Sequence, residues 1–350
     1  MKEHYFKIYF QLKVKERIMK TKVKWGILST AKIGTEKVIP AMRLGKYCDM
    51  VAISSRNIEK AKAAAKKLKI PKAYGSYDEL IADDEIEAVY IPLPNHLHLE
   101  LSLKALEAGK HVLCEKPIGM NVKEAKLLLE AAKKHPDLKV MEAFMYRHHP
   151  QIIETKKLID KGTIGEVKNI NSVFTYYNVN PKDVRNQADI GGGGLLDIGC
   201  YCISIVRFMF DDEPKRVSGF IEFDPVMKID RLASAVLEFE KGTATFTCST
   251  QIPFQQKAVI LGEKGKIEFS VPFTPAPDEG PKVILHTNND IKDLHYKACN
   301  QYTLQGDLFS KAIMENTRVY TPLEDALANM KVIDAVFESA RTGSSVDIHQ

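Results

Sequence analysis

From position 22 to about position 145 the chain alternates short apolar runs with helical stretches, and this alternation restricts the fold more than any other feature. The runs at 22–28, 49–54, 87–91 and 111–114 are rich in Val, Ile and Leu. They read as strands buried on both faces, which is the pattern of a parallel sheet with helical crossovers. Open sheets of this kind bind ligands beyond the carboxyl ends of their strands, so the turns that follow these runs are where the chemistry is sought.

The first turn, Ser29-Thr30-Ala31-Lys32-Ile33-Gly34, opens a helix that reaches to about Leu44. A Gly-x-Gly-x-x-Gly fingerprint would fall at 29, 31 and 34, and only the last glycine is kept. Serine and alanine are still small enough for backbone amides to approach a pyrophosphate at a helix N-terminus. Ser29, Thr30, Ala31, Lys32 and Ile33 are therefore candidate dinucleotide contacts; the alternative is an ordinary βα turn. The second strand ends in Ser54-Ser55-Arg56, where an NAD-selective chain would carry an acidic residue. An arginine flanked by hydroxyls suits a ribose 2′-phosphate, so NADP(H) is preferred and NAD(H) stays open. The third turn, Pro92-Leu93-Pro94-Asn95, stops its strand and caps the next helix, placing Pro92 and Asn95 at the crevice. The fourth is Glu115-Lys116-Pro117, after a helix at 97–108 and the run at 111–114. Pro117 disfavours helical geometry at Lys116, so Glu115 and Lys116 stand on a loop that faces the crevice. Together these features predict an α/β Rossmann domain, a doubly wound and mostly parallel sheet, over 21–144.

Past about Met145 the pattern changes to strand-like runs at 167–177, 216–223, 232–239, 243–250, 257–261, 266–269 and 282–286, with turn signals such as Glu240-Lys241-Gly242 between them. An α+β domain with a large, mostly antiparallel open sheet is expected over 145–350, and its C-terminal helices are free to pack back on the first domain. Between the first two runs, Gly191 to Gly194 lead into a helix that sets Asp197 and Tyr201 at i and i+4 on one face.

Composition removes other classes. Fifty basic and 45 acidic residues leave a net charge of +5 spread along the chain, without the basic stripe of a nucleic-acid binder. Cys48, Cys114, Cys200, Cys202, Cys248 and Cys299 lack metal-ligand spacing, so no metal is expected and the thiols read as reduced, in a cytoplasmic protein. Positions 1–20 read as a disordered leader without signal-peptide character, and translation could equally begin at Met19. No later segment reads as long and apolar enough to span a bilayer, so no membrane partner is expected.

Glu115-Lys116-Pro117 and the stretch from Gly192 to Tyr201 together resemble two hallmarks of the glucose-fructose oxidoreductase, inositol dehydrogenase and rhizopine catabolism (Gfo/Idh/MocA) family of NAD(P)-dependent oxidoreductases. The run from Glu142 to Pro150 and the tyrosine at 201 are similar to the branch containing dimeric dihydrodiol dehydrogenase and NADP-dependent D-xylose dehydrogenase. The resemblance implies that Lys116, Asp197 and Tyr201 face the nicotinamide, that the substrate is a sugar or polyol, and that a homodimer or homotetramer forms through the large sheet. Tyr201 is the favoured proton donor or acceptor, with Lys116 expected to lower its pKa, though direct transfer by Lys116 stays open. Asp197 would hold a sugar hydroxyl or orient the pair, and Arg147 and Arg185 are weaker candidates for lining the cleft. His96, His98, His148 and His149 read as caps or packing residues. The implied reaction is oxidation of an aldose at its anomeric carbon. A trans-dihydrodiol dehydrogenase, a non-catalytic NADP sensor and glycoside cleavage through a keto intermediate are the alternatives.

Overall fold

The computed structural model describes residues 21–288 and 290–348; the leader expected at 1–20 lies outside them. Six strands, β1 (Val23–Leu28), β2 (Cys48–Ser54), β3 (Lys72–Tyr74), β4 (Ala88–Ile91), β5 (His111–Cys114) and β6 (Val140–Glu142), form one parallel sheet in the order β3-β2-β1-β4-β5-β6. β1, β4 and β5 are almost wholly buried, as their unbroken apolar runs require. The strand order reverses between β1 and β4, which opens the crevice where such sheets take a ligand. Register does the rest: Ile27 pairs with Tyr90 and Ile91 with Cys114, so the loops starting at Ser29, Pro92 and Glu115 emerge side by side.

Nine further strands make the second sheet: β7 (Val167–Tyr177), β8 (Arg216–Phe223), β9 (Asp230–Glu238), β10 (Thr243–Ser249), β11 (Gln251–Gly262), β12 (Gly265–Phe269), β13 (Lys282–Thr287), β14 (Asp290–His295) and β15 (Val346–Asp347). Their order is β14-β13-β12-β11-β7-β10-β9-β8-β15; β7 and β10 run parallel, and the other neighbouring pairs are antiparallel. The seven expected runs correspond to β7 through β13. β14 was not anticipated, because an exposed edge strand of charged residues carries no apolar alternation.

Two C-terminal helices tie the sheets together. Gln301–Glu315 packs on the first sheet: the Trp25 indole donates to Ser310 Oγ at 3.1 Å, and the Phe309 ring lies 5.6 Å from that of Trp25. Leu323–Thr342 packs on β8 and on the helix Val122–Lys134, whose first amide donates to Asp334 Oδ2 at 2.9 Å. The expectation that no later segment could span a bilayer fails on length and composition. Ala188–Phe210 qualifies, with a mean hydropathy of 1.5, and 83% of its apolar window is buried. The helix at its end, Cys200–Phe210, is apolar because it is a core helix packed against β7, β10 and Leu323–Thr342.

Candidate active site

A cavity of about 1040 Å³ lies between the carboxyl end of the first sheet and one face of the second. From the first domain it is lined by Ser29, Ala31, Lys32 and Ile33, by Pro92 and Asn95, and by Glu115 and Lys116; from the second, by Tyr176, Arg185, Asp197 and Tyr201. Thr30, Ser54, Ser55 and Arg56 are not on its wall. Ser54 closes β2 and pairs with Leu28, and Ser55 and Arg56 follow it, so all three stand beside the Ser29 turn; Arg56 is exposed there, next to the Tyr77 hydroxyl.

The nucleotide-side wall is shaped by small residues. Ser29 takes a φ of 154°, and its Oγ accepts the Ala31 amide at 2.9 Å, which closes the turn. The following helix opens with a π turn at Ile33–Val38 and has no side-chain cap, so its first amides stay available beside the cavity. A Cβ on Gly34 would lie 3.3 Å from the Pro92 ring, so the retained glycine lets the first and third turns close up. These features fit a dinucleotide pyrophosphate at the helix start.

Lys116 is held by its surroundings from several sides. The Lys116–Pro117 bond is cis. The fully buried His98 spans the Leu93 and Pro117 carbonyl oxygens, 2.8 Å from each, and burial lowers its pKa to about 4 against the raising effect of those two contacts. Glu142 Oε1 accepts the Ile118 amide at 2.7 Å. The Lys116 ammonium donates to the Asp197 carbonyl oxygen at 2.6 Å and to Asp197 Oδ1 at 2.9 Å. Burial alone would lower the lysine pKa, but the Asp197 charge outweighs it and holds the ammonium above its ordinary value. Asp197 Oδ2 accepts from the Tyr176 hydroxyl at 2.6 Å and from Arg185 Nε at 3.2 Å. Burial alone would raise the carboxyl pKa; Lys116, Arg185 and Tyr176 hold it well below the carboxylate range. Next to this group Tyr90 donates to Glu115 Oε1 at 2.5 Å, and burial raises Glu115.

Asp197 reaches this position because its helix starts oddly. Leu195–Gly199 is a π turn that runs into Cys200–Phe210, and the buried Asp230 accepts the Leu195 amide at 2.5 Å. Gly193 has a φ of +121°, and a Cβ there would sit 1.8 Å from Asp230 Oδ1. The glycine run is what lets a carboxylate cap this helix.

Tyr201 requires a correction. Its ring lies 5.2 Å from Lys116 Nζ, but its hydroxyl meets Met145 Sδ at 3.4 Å, among Phe144, Tyr146, Phe174 and Phe273. Burial, followed by the Glu115 charge, raises the phenol pKa well above 10, whereas Lys116 was expected to lower it. The lysine faces the ring and spends its charge on Asp197. Arg147 is corrected too. It is buried away from the cavity, over the Phe208 ring at 3.9 Å and 3.6 Å from Asp325. Arg185 does line the cavity. His149 accepts the Gln151 amide as a helix cap, and no cluster of metal-ligating side chains occurs among the described residues.

Tyr176 was missed, although a signal was present. Phe174 and Tyr176 alternate at the end of an expected strand, so both had to point to one face, and both line the cavity.

Residues 23–144 match the oxidoreductase family with an NAD-binding Rossmann fold, and residues 152–268 match the GFO/IDH/MocA C-terminal domain. An uncharacterized oxidoreductase of Rhizobium meliloti is 43% identical over 92% of this chain and 98% of its own. A D-xylose 1-dehydrogenase (NADP(+)) of Haloferax volcanii is 33% identical over 93% and 99%. A 3-ketoreductase of Actinomadura kijaniata, solved with NADP and TDP-benzene, superposes with a TM-score of 0.84 at 29% identity, covering 92% of this chain and 98% of that one. The protein is thus an NAD(P)-dependent oxidoreductase acting on hydroxyl or keto groups, with its dinucleotide on the first domain. The chain belongs to the Gfo/Idh/MocA family of oxidoreductases.

Proposed function

We infer that the protein exchanges hydride between NADP(H) and a sugar or polyol, with oxidation of a cyclic aldose at its anomeric carbon as the leading reaction. The observation that carries this reading is the half-buried Lys116 ammonium on the cavity wall, with two of its three N–H donors taken by Asp197 and one left for a substrate oxygen.

The nicotinamide, when bound, gives or takes the hydride; everything else falls to the protein. Ser29 to Ile33 and the helix they open would hold the pyrophosphate. Arg56, with Ser54 and Ser55, would hold a 2′-phosphate, which favours NADP(H) over NAD(H). In reduction, hydride adds to the carbonyl carbon and the oxygen takes a proton. Tyr201, kept protonated by burial, is assigned as that donor, and Lys116 stabilises the developing alkoxide charge. In oxidation Tyr201 can take the proton only as the phenolate, which burial disfavours and the Lys116 ammonium 5.2 Å from its ring partly offsets. Direct transfer by Lys116 is the competing assignment. Asp197 orients the ammonium.

A second copy of the chain is expected on the outer face of the large sheet, where Phe220 and Val236 are exposed on neighbouring strands. A trans-dihydrodiol substrate is the second reading, supported by the trans-1,2-dihydrobenzene-1,2-diol dehydrogenase of Xenopus laevis, 38% identical over 70% of this chain and 74% of its own. Following nicotinamide absorbance with a panel of aldoses and dihydrodiols, each with NADP and with NAD, decides among them. Turnover of aldoses with NADP is expected; turnover of dihydrodiols alone would replace the leading reading with the second.

A further inference from the structure

At the mouth of the cavity the strands β7 and β11 depart from regular pairing. Gln251 pairs with Tyr177 and Gln255 with Thr175, so three residues of β11, Ile252 to Phe254, stand opposite the single residue Tyr176. Bulges of this kind re-aim side chains beside binding sites. This one is fastened: Thr175 Oγ1 donates to the Pro253 carbonyl at 2.6 Å. Its effect is to turn Phe254 outward, 64% exposed, at the cavity lip. Tyr177, 66% exposed, lines the same lip, and Val184 on the loop after β7 adds a third apolar side chain. Directly beneath the bulge, Tyr176 reaches inward to Asp197.

Two large rings left in solvent at a cavity rim give up favourable burial unless something covers them. They belong to the cavity that holds Lys116, so the covering group is continuous with the molecule that reacts there. A pyranose ring offers one: its axial C–H bonds make an apolar face that rests on an aromatic ring while its hydroxyls stay in water. The remaining lip is polar: Asn178 is tied to Asp183 and to the Asn180 amide, while Lys182 and the Asn180 side-chain NH2 can meet those hydroxyls.

We propose that Phe254 and Tyr177 form a distal subsite for a second sugar ring, so that the preferred substrate is a reducing disaccharide whose reducing-end ring reacts at Lys116. This rests on the aldose reading above. In the reaction the anomeric C–H leaves as hydride to the nicotinamide and the anomeric O–H proton passes to the protein, giving the lactone and the reduced cofactor; the glycosidic bond stays intact.

The test compares kcat/KM for D-glucose and D-xylose with that for cellobiose, maltose and xylobiose, in the native chain and in Phe254→Ala and Tyr177→Ala, with sedimentation velocity on all three proteins. A stacked ring is worth about a tenfold advantage, so the disaccharide should lead by that factor and the lead should largely vanish in either variant. Monosaccharides turned over as well as, or better than, every disaccharide would overturn the subsite and leave the aldose reading standing. Turnover of dihydrodiols alone would overturn both. A disaccharide preference unchanged in both variants, or a change of oligomeric state in them, would also overturn it, the latter because the rings would then be subunit contacts.

Discussion

Glu142→Gln should remove a pH dependence of stability that the structure builds into the loop carrying Lys116. Glu142 ends β6 at 1% exposure and accepts the Ile118 amide, two residues past the lysine. Burial, followed by the charge of Asp325, pushes its carboxyl up to about 8 against the opposing pull of Arg207 and Lys116, from an ordinary value of 4.5. Between those values the folded protein keeps a proton that the unfolded chain has released. The resulting stability is therefore fully present below about pH 4.5 and is lost as pH rises through 8. A gap of roughly 3.5 pH units at about 1.36 kcal/mol each gives about 5 kcal/mol. Glutamine keeps an oxygen for the Ile118 amide and cannot ionise. The variant should match the native chain near pH 5 and be several kcal/mol more stable at pH 8.5. Urea denaturation across that range, read by the fluorescence of Trp25, the single tryptophan, measures this in the sheet concerned. Asp230, pushed up to about 7 by burial, titrates in both proteins and cancels in the comparison. Parallel stability–pH curves for the two proteins would refute the reasoning.

Arg56→Ala should weaken NADP binding by about 2 kcal/mol or more with little effect on NAD, measured by titration of each cofactor; equal losses would make Arg56 a structural residue. Lys116→Ala and Tyr201→Phe should each lower turnover by about 100- to 10,000-fold at nearly unchanged NADP affinity, measured by steady-state kinetics and cofactor titration. Near-normal turnover in Tyr201→Phe would move proton transfer to Lys116. Gly193→Ala should cost about 3 kcal/mol or more in urea denaturation, since its Cβ would fall on the Asp230 carboxylate in a backbone conformation that disfavours a side chain; wild-type stability would show that the helix start can shift freely.

The first domain was legible because its strands are buried on both faces. Unbroken apolar runs mark such strands, and ligand-facing loops must follow them. Lys116 could be placed from that alone. The second site element was legible only as a spacing: Asp197 and Tyr201 at i and i+4 do line one cavity, but no spacing reveals which way a hydroxyl points or which charge partners a lysine. Those outcomes depend on packing between distant segments, Phe174, Phe273 and Met145 around Tyr201, and Tyr176 with Arg185 around Asp197. Arg147 was misjudged for the same reason: a charge beside a family-like motif looked available, and its partner Asp325 lies far along the chain.

Asp197 shows how that packing changes the chemical argument. A carboxylate has about four lone-pair sites, and here Lys116, Tyr176 and Arg185 occupy three. Room remains for one further donor, on Oδ1, the oxygen that already faces the ammonium. A sugar hydroxyl that binds there must therefore approach beside Lys116 Nζ. On the proposed reading Asp197 thus acts chiefly by fixing where Lys116 points, and the aromatic lip would act on which sugar arrives.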